Sequence, residues 1–541
     1  MNDEATKAGY RQTRREFLAT TTTVAGAAAL GIPGMAEAAN KRHPQRGGTL
    51  HFATRSDTRA LDTHRNYIYW VSSPMAATTG GLLDVNGRME PVPAIASEWD
   101  VSDDLKTWTF KLRRGTEFHN GETIDAAAVK WNFERILDPK IGHAFTRSAL
   151  EDLERVTVDD KFTVRCHLKN PNAAFDSNLV YYPVNLMAPG AEAQADTNPA
   201  GCGPFKFKSW KRFDTTEMER FENFWQTDAE GNALPYLDRL VGKPKKEDRV
   251  RLTALRAGEV QLIDSVAYSD ADTFKKDYGD QFTTWDVPHV GTAFVSFNMK
   301  NGPFSEKDNR DAHMLRMAVA HAIDHQGIHE AVFNKLGAVA KGFYSEQSPW
   351  YAADIESWPE YDPDKAAALR KKANGGDAKL LIIAIDEYPY MHQGGEVVHA
   401  MLQEAGFNVT FQIHPNPVMQ ERYVQSDFHM DSSAHSYRID PDAWYSRPFL
   451  STSPDNRRRY GYKSEKVDGM ILAAKTERDR DKRRQIYRDV DSMINRDLPM
   501  LYTHYVPLLQ AGAKNLQGYK PAFAGPFQYS GGGLRTAWLA T

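Results

Sequence analysis

Cysteine is scarce in this sequence, with only Cys166 and Cys202 among 541 residues. Their spacing excludes a zinc site built from paired Cys-x-x-Cys motifs. An oxidising compartment would permit a bridge between the two residues, but two small buried side chains fit the sequence equally well. Both alternatives stay open at this point, because a sequence carries no information on the geometry that a disulfide requires.

Long apolar runs, a surplus of one charge and internal repeats are also missing. After the N-terminal region, no stretch reaches the roughly 20 apolar residues that cross a membrane as a helix. The formal net charge is only −4, and neither half of the chain carries the basic stripe typical of nucleic-acid binding. We therefore expect a globular protein of several subdomains with no nucleic-acid partner.

Motifs of catalysis and of cofactor binding are missing as well. Gly-x-Ser-x-Gly, His-Glu-x-x-His and the phosphate-binding P-loop do not occur. A nucleophilic role for Cys202 has little support, since it stands alone in a Cys-Gly-Pro sequence. The prediction is a protein that is not an enzyme and binds no cofactor. The competing class is an exported cofactor-dependent enzyme, which would need a motif that this sequence does not contain.

The N-terminus has the three-part layout of an export signal. Thr13–Leu18 contains an arginine pair followed by Phe-Leu, a mild apolar stretch runs from Ala19 to Ile32, and small residues surround Ala38. This layout predicts a twin-arginine signal cleaved near Ala38, the twin-arginine translocase as export partner, and a periplasmic location. No cysteine follows the apolar stretch, so we expect no lipid anchor. The alternatives are a membrane anchor or chance arginines.

Short strands alternate with helices through the rest of the chain, in two blocks. The first block ends near residue 292, and the chain returns to it near residue 506. This pattern predicts a two-lobed α/β protein with a hinge between the lobes.

Several short motifs occur in a fixed order along the mature chain. Together they resemble the family-5 extracellular solute-binding proteins, the dipeptide, oligopeptide and nickel type that serve ABC importers. No single motif is specific, but the ordered set covers essentially the whole mature chain. The set comprises Gly80-Gly81-Leu82-Leu83, Glu98-Trp99-Asp100, Trp108-Thr109-Phe110, Phe118-His119-Asn120-Gly121, Gly201-Cys202-Gly203-Pro204-Phe205, Ser296-Phe297-Asn298, Arg316-Met317-Ala318, Tyr361-Asp362-Pro363 and Asp497-Leu498-Pro499.

This resemblance implies the type II periplasmic-binding-protein fold of the large cluster, with mixed sheets flanked by helices and a two-strand hinge. It places lobe I at residues 39–83, 199–291 and 507–541, an extra subdomain at 84–198 and lobe II at 292–506, after the export signal at 1–38. It also implies a monomer that closes on a small-molecule solute between its lobes and then docks on the membrane subunits of an ABC permease.

Aromatic and polar residues occur where this family lines its cleft. Rings suit such a pocket because they offer a large apolar area with little rotamer entropy. For each of them, ordinary core packing is the alternative. The candidates are Asn66, Tyr67, Tyr69, Trp70, Tyr182, Trp350, His435, Trp444 and His504.

The segment before Asp440-Pro441-Asp442 departs from the family pattern. Peptide-binding relatives have an aspartate there that pairs with the peptide's α-ammonium group, whereas this chain has Tyr437 followed by Arg438. A free peptide N-terminus is therefore in doubt. Arg438 offers a forked donor to a carboxylate, phosphate or sugar acid, unless it pairs with an acid of the protein itself. Asp440-Pro441-Asp442 is interpreted as a helix N-cap, an N1 proline and a first-turn acid.

Two further patterns have competing interpretations. His321, His325 and His329 have the spacing of a metal-binding helix face, but Asp324 indicates a helix break with an N-cap, which we favour. The arginine run 457–459 is either a solvated loop, which we favour, or a clamp for an anionic ligand. The ligand class stays open among a peptide, an opine-like or sugar-phosphate conjugate, a glycoside and a metal chelate. A metal or metal-chelate binding protein is thus an alternative function.

Overall fold

The computed structural model describes residues 43–58, 60–65, 73–521, 528–529 and 532–541. Within these ranges, no helix has both the length and the apolar character needed to cross a bilayer. The export signal predicted for residues 1–38 lies outside the described residues and stays a prediction.

The strands follow the predicted alternating pattern, and two of them are much longer than the rest. Their bounds are Thr49–Thr54 (β1), Leu83–Val85 (β2), Pro91–Pro93 (β3), Ala96–Val101 (β4), Thr107–Leu112 (β5), Leu153–Asp160 (β6), Thr163–Leu168 (β7), Phe205–Lys211 (β8), Thr215–Arg220 (β9), Arg239–Pro244 (β10), Leu262–Ile263 (β11), Phe282–Phe297 (β12), Ala338–Val339 (β13), Leu380–Ile385 (β14), Val409–His414 (β15), Met430–Ser436 (β16), Met500–Ala513 (β17), Leu516–Gln517 (β18), Gln528–Tyr529 (β19), Gly532–Gly533 (β20) and Trp538–Leu539 (β21).

The helices range from four to 18 residues in length. They span Ser73–Ala76 (α1), Ala126–Leu137 (α2), Ala144–Ser148 (α3), Phe175–Asn178 (α4), Asp248–Arg256 (α5), Ala271–Tyr278 (α6), Ala312–Ala322 (α7), His325–Ala331 (α8), Pro363–Lys372 (α9), Pro389–Glu404 (α10), Asn416–Gln425 (α11), Asp442–Tyr445 (α12), Glu465–Thr476 (α13) and Arg480–Asp497 (α14). A π-helical turn covers Asn456–Tyr460.

One large mixed sheet runs through both lobes. Its strand order is β15-β14-β16-β12-β17-β11-β1-β10-β9-β8, with β13 paired to β17. The β1–β10 and β14–β15 pairs are parallel, whereas most others are antiparallel. Strand β14 has the sequence LLIIAI and is largely buried, as expected for a parallel strand covered on both faces. The two-lobed α/β fold predicted from the sequence is confirmed.

The long strands β12 and β17 connect the two halves of this sheet. They pair antiparallel from Phe282 opposite Ala513 to Ser296 opposite Met500. One end of the pair meets β11, which belongs to the first half of the chain, and the other end meets β16 of the second half. These strands are therefore the two-strand hinge. The residue boundaries predicted for lobes and subdomain stay predictions.

A separate antiparallel sheet lies within the predicted extra subdomain. Its strand order is β4-β5-β7-β6, and α2 packs against β6 and β7. Helix α2 begins where the sequence places a cap, because the side chain of Asp125 accepts a hydrogen bond from Ala128 N at 3.0 Å. The sheet and helix enclose a core of their own around Phe110, Phe118 and Phe133.

Gly291 holds strand β12 close to the segment that precedes the Asp-Pro-Asp turn. A Cβ atom at this position would lie 2.6 Å from the carbonyl oxygen of His435, a distance that side-chain carbons do not tolerate. Gly291 pairs with Ser436 in the β12–β16 register. Because Gly291 has no side chain, the backbone of residues 435–438 can lie close beside hinge strand β12.

Candidate ligand-binding cleft

A cavity between the lobes, called the larger cavity, has a volume of about 610 Å³. The first lobe contributes Arg55, Asp248 and residues 264–269, and the second lobe contributes residues from 330–334 and 388–397. The hinge strands contribute Val290 and residues 506–508. The volume lies within the 300–1,000 Å³ typical of small-molecule pockets. Both lobes and both hinge strands therefore surround a single chamber.

Three tyrosines give this larger cavity its aromatic wall. Tyr268 donates a hydrogen bond to the carbonyl oxygen of Pro507 at 2.8 Å, so it links the first lobe to the hinge. Tyr388 and Tyr390 lie on the second lobe with ring centroids 5.9 Å apart. Burial raises the pKa values of Tyr268 and Tyr390, so both phenols are neutral at physiological pH. These rings can stack on a ligand and orient it through their hydroxyl groups.

The charged groups on the first-lobe wall of this cavity neutralise one another. Arg55 Nη2 donates to Asp248 Oδ1 at 3.2 Å, and the backbone N–H of Arg55 donates to Asp264 Oδ2 at 2.7 Å. Arg251 forms ion pairs with Asp248 and with Asp264, and the distance from Arg251 Nε to Asp264 Oδ1 is 3.0 Å. Two arginines and two aspartates balance in charge. This wall is therefore polar but carries no net charge.

The smaller cavity, of about 80 Å³, lies between the extra subdomain and the second lobe. Residues from 148–152 and 177–181 form one wall, and residues from 436–447 form the other. Val290 lines both cavities. One water molecule needs about 10–15 Å³ on this measure, so the space accommodates a small chemical group. The two cavities are neighbours at the hinge.

Tyr437 and Arg438, both predicted from the sequence, line the smaller cavity. The hydroxyl groups of Tyr437 and Ser348 share a hydrogen bond of 2.8 Å, and the Tyr437 ring packs edge-on to His289 at 5.1 Å. Burial raises the pKa of Tyr437. The position at which peptide-binding relatives have an acid therefore holds a neutral phenol whose hydroxyl is bonded within the second lobe.

Asp440 and Asp442 are held by groups of the protein. Arg483 donates to both carboxylate oxygens of Asp440, at 2.8 and 2.7 Å. Asp442 accepts from Ser446 at 2.5 Å. The helix begins at Asp442, one residue later than the sequence predicted, because Pro441 itself occupies the cap position. Asp440 Oδ1 accepts the Asp442 N–H at 2.9 Å in the turn ahead of the helix, so its assignment as the N-cap was wrong by one position, whereas Asp442 is in the first helical turn as predicted.

An ion pair joins the two walls of the smaller cavity. Lys475 Nζ, at the end of α13, lies 2.7 Å from Asp152 Oδ2 and 3.8 Å from Asp442 Oδ2. Beyond it, Arg480 reaches Glu90 at 3.2 Å. These contacts connect the extra subdomain to the second lobe. The structure thus has its lobes in contact, as expected for a closed state.

Other predicted site residues on the second lobe are packed inside it. The Trp350 indole N–H donates to Ile439 O at 2.8 Å and so supports the Tyr437–Asp440 segment from behind. Trp444 stacks on Phe343 with centroids 4.3 Å apart. His504 Nε2 lies 2.8 Å from Leu336 O. None of the three lines either cavity among the described residues, and a contact of each with ligand stays a prediction.

The remaining candidates divide between core, cleft and the undescribed part of the chain. Tyr182 packs in a small cluster with Leu61 and Met75, whereas its neighbour Tyr181 lines the smaller cavity. His435 does not line either cavity, but its Nε2 contacts the guanidinium groups of Arg438 and Arg447, which line the smaller one. The predicted candidates Asn66, Tyr67, Tyr69 and Trp70 lie outside the described residues.

The three histidines with metal-like spacing lie on two separate helices. Helix α7 ends at Ala322, and α8 begins at His325 with Asp324 as its N-cap, accepting from Gln326 N at 2.9 Å. The predicted break and cap are confirmed. His325 instead packs its ring 4.4 Å from that of Trp358. In the described part of the chain, no group of three or more metal-ligating side chains is placed to hold an ion.

The arginine run divides into one exposed and two paired side chains. Arg457 is exposed, Arg458 pairs with Asp455 at 2.9 Å, and Arg459 pairs with the buried Asp431. The solvated loop favoured from the sequence is therefore correct only for the exposure of Arg457, because the run lies in the π-helical turn Asn456–Tyr460 and its other two arginines are paired. Cys166 and Cys202 are both buried free thiols.

The sequence prediction missed the tyrosines of the larger cavity. Tyr388 and Tyr390 flank Pro389, directly after β14 and at the first turn of α10. Ligands of α/β proteins bind at the carboxyl ends of strands. The aromatic pair after β14 could therefore have predicted that Tyr388 and Tyr390 line the ligand-binding cleft.

A cavity enclosed by two lobes and two hinge strands is the design of a two-lobed solute-binding protein. The chain belongs to family 5 of the bacterial extracellular solute-binding proteins, whose "family 5 Middle" profile matches residues 90–457. This assignment confirms the family expected from the ordered motifs. It is a family of binding proteins rather than of enzymes.

Known proteins similar to this chain cover most of its length. The glutathione-binding protein GsiB of Pectobacterium atrosepticum is 25% identical over 460 residues, which span 81% of this chain and 85% of GsiB. The structure of DppA from Helicobacter pylori with the peptide STSA has a TM-score of 0.79 at 22% identity, covering 92% of this chain and 99% of DppA. AgaA of A. tumefaciens R10, bound to agropinic acid, has a TM-score of 0.78 at 24% identity and covers 91% and 99%. These structural likenesses support the fold.

Proposed function

We propose that this chain is the substrate-binding protein of an ABC importer. It captures one small solute between its lobes in the periplasm, closes around the hinge and delivers the solute to the membrane permease as a monomer. It is exported through the twin-arginine route and catalyses no reaction. The observation that carries the proposal is the cavity of about 610 Å³ whose wall is shared by both lobes and both hinge strands.

Contacts made on both sides of such a cavity couple binding to closure. A ligand that touches Tyr268 on one lobe and Tyr390 on the other stabilises only the state in which both rings are near. Ligand therefore shifts the population toward the closed form by the difference in its affinity for the two states. The ion pair between Lys475 and Asp152 adds a contact that also exists only on closure.

For the ligand we propose a peptide-like molecule, an opine or a sugar conjugate without a free α-ammonium group at the Tyr437 position. A buried ammonium group without an anion costs several kcal/mol. Tyr437 supplies a neutral phenol, and Asp440 is bonded through both oxygens to Arg483. GsiB, DppA and AgaA are described with glutathione, a peptide and agropinic acid, so ligand chemistry varies widely among similar proteins.

Mass spectrometry of the denatured mature protein tests this function. We expect release of one small solute, which then raises the melting temperature when added back. At 100 times its dissociation constant, a ligand stabilises the folded state by about 2.7 kcal/mol. Recovery of a stoichiometric redox cofactor in place of a transported solute would contradict the proposal. If dipeptides with free N-termini are the strongest stabilisers, the ligand class inferred from Tyr437 is wrong.

The variant Tyr390→Ala is expected to weaken binding of the released solute by about tenfold. The reason is that an aromatic contact contributes about 0.5–1.5 kcal/mol beyond its buried area. Isothermal titration calorimetry measures the change. Tyr361→Ala is the matched control, because Tyr361 lies outside both cavities and is 47% exposed. Equal affinities of the two variants would exclude Tyr390 from the ligand site.

A further inference from the structure

Two arginines of the second lobe converge on one histidine at the wall of the smaller cavity. Arg438 Nη2 lies 3.5 Å and Arg447 Nη1 lies 3.4 Å from Nε2 of His435. Both arginines line the cavity of about 80 Å³. Two guanidinium groups within reach of a single atom repel each other, and the repulsion is stronger near a protein surface than in water.

His435 is neutral in this arrangement and adds no charge. Its Nδ1 lies 3.1 Å from the carbonyl oxygen of Ser436, which can only accept a hydrogen bond, so Nδ1 carries the proton. Nε2 is then unprotonated, and its lone pair faces the two guanidinium groups. Burial, together with Arg438 and Arg447, lowers the pKa of His435 well below its usual value. The neutral imidazole therefore accepts from the two arginines and holds them at the wall of the cavity.

The carboxylates near the two arginines have bonds to other groups. Asp440 is bonded to Arg483 at 2.7 and 2.8 Å, and Asp152 to Lys475 at 2.7 Å. Asp455 lies 3.3 Å from Arg447 and 2.9 Å from Arg458, so it is shared between two cations. Burial and the charge of Arg447 together lower the pKa of Arg438. Asp440 and Asp442 line the same wall, so the positive charge of Arg438 and Arg447 is local to the point at which the two side chains converge.

The opposite wall contributes a phenol and two carboxyl groups, of which Asp152 is paired with Lys475. The Cζ atom of Arg438 lies 5.3 Å from the ring centroid of Tyr181, and the two side chains are hydrogen-bonded. Glu151 lines the same wall, and burial raises its pKa. An anion that enters between the walls meets two cationic donors and one phenol, and Glu151 opposes it when ionised.

We propose that Arg438 and Arg447 form an anion subsite for a carboxylate or phosphate group of the solute. The inference rests on the proposed solute-binding function and deepens it. The body of the solute occupies the larger cavity, and its anionic end passes Val290 into the smaller one. Forked guanidinium donors suit the two or three oxygens of such a group. The ligand is thus an acidic conjugate rather than a neutral or cationic one.

The test uses the whole mature protein and two simple probes, inorganic phosphate and acetate. The melting temperature is followed during titration with each probe at constant ionic strength, with chloride making up the balance. We expect saturable stabilisation by at least one probe, and the stronger probe identifies the anion class. Arg438→Gln and Arg447→Gln are each expected to weaken probe binding by about tenfold or more. The control Arg457→Gln, at an exposed arginine nearby, is expected to retain it.

Glu151→Gln keeps the proposal falsifiable if the arginine variants do not fold. Removing this opposing charge is expected to tighten probe binding several-fold. The proposal is overturned if neither probe binds saturably, if Arg457→Gln loses as much affinity as Arg438→Gln, or if Glu151→Gln weakens binding or leaves it unchanged. Undiminished binding of the released solute by folded Arg438→Gln would also overturn it, while leaving the solute-binding function intact. A protein that releases and binds no solute at all would instead contradict that function.

Discussion

Replacing Arg483 by methionine is expected to lower the free energy of unfolding by about 3–5 kcal/mol, the usual cost of breaking a buried ion pair from one side. The Arg483 and Asp440 side chains are 6% and 4% exposed. Arg483 donates to both oxygens of Asp440 and, through Nε, to Ala474 O at 3.0 Å. Without the guanidinium group, Asp440 remains as a buried, uncompensated charge at the base of the proposed anion subsite.

Urea unfolding followed by tryptophan fluorescence measures this loss. The matched control is Arg484→Met on the same helix, where Arg484 pairs with Asp481 and the two side chains are 39% and 73% exposed. Exposed pairs contribute about 0–1 kcal/mol. Replacing Asp440 by leucine together with Arg483→Met is expected to recover much of the loss, because no buried charge is then left unpaired. If Arg483→Met costs no more than the control, the pair does not stabilise this segment.

Local chemistry explains why some features could be predicted from the sequence. The break between α7 and α8 depends on Asp324 capping its own helix two residues later, and the turn before α12 depends on Asp440 accepting from Asp442 N. Both interactions need only residues adjacent in sequence, so the residue type decides the outcome. The fold class followed for the same reason from periodicity and ordered motifs.

The direction of an aromatic side chain could not be predicted in this way. Tyr181 lines a cavity while Tyr182 packs in a small core cluster, although the two are neighbours in sequence. Trp444 was a candidate for the cleft but stacks on Phe343, which lies about 100 residues earlier in the chain. A ring provides apolar area equally well in a core and in a pocket wall. Tertiary packing decides between the two, and a single sequence does not contain it.

The same limit applies to buried ion pairs. In the sequence, nothing distinguishes Arg459 from the two arginines before it, yet Arg459 is the one that pairs with buried Asp431. Its partner lies 28 residues away in sequence, on β16. A run of arginines favoured a solvated loop, but only the fold determines which of the three side chains is exposed and which two are paired.

Lowering the pH from 7 to 5 is expected to reduce the free energy of unfolding by several kcal/mol, because five histidines are kept neutral by burial. The pKa is lowered to about 4 for His64, His119 and His325 and to about 3 for His289 and His504, in each case mainly by burial. In the unfolded chain these groups titrate near pH 6.5. Below that pH the unfolded state binds more protons, so their contribution to stability is present above pH 6.5 and is lost as the pH falls.

Buried carboxyl groups with a raised pKa act in the opposite direction, and among the described residues these are Glu151, Asp176, Asp431, Asp442 and Asp491. Burial raises the pKa of Asp491 to about 7 and, together with Asp440, that of Asp176 to about 6. These groups take up protons in the folded state first, so their burial becomes less costly as the pH falls. Each pKa unit corresponds to about 1.4 kcal/mol. Among the described residues, twelve histidines have a lowered pKa and five carboxyl groups have a raised one, so the net change with acidification is a loss of stability.

His289 gives the sharpest test of this pH dependence, since it lies in the hinge strand β12 and bonds Ser345 Oγ at 2.9 Å and Thr292 Oγ1 at 3.0 Å. His289→Gln replaces the ring by an amide that does not titrate. Urea unfolding at pH 7, 6 and 5 is expected to show a shallower loss of stability for this variant, by about 1.4 kcal/mol per pH unit at most. His313→Gln, at an exposed histidine, is expected to keep the original slope. Equal slopes for the two variants would mean that a neutral His289 does not contribute to acid sensitivity, whereas a difference would locate that sensitivity in the strand that joins the lobes.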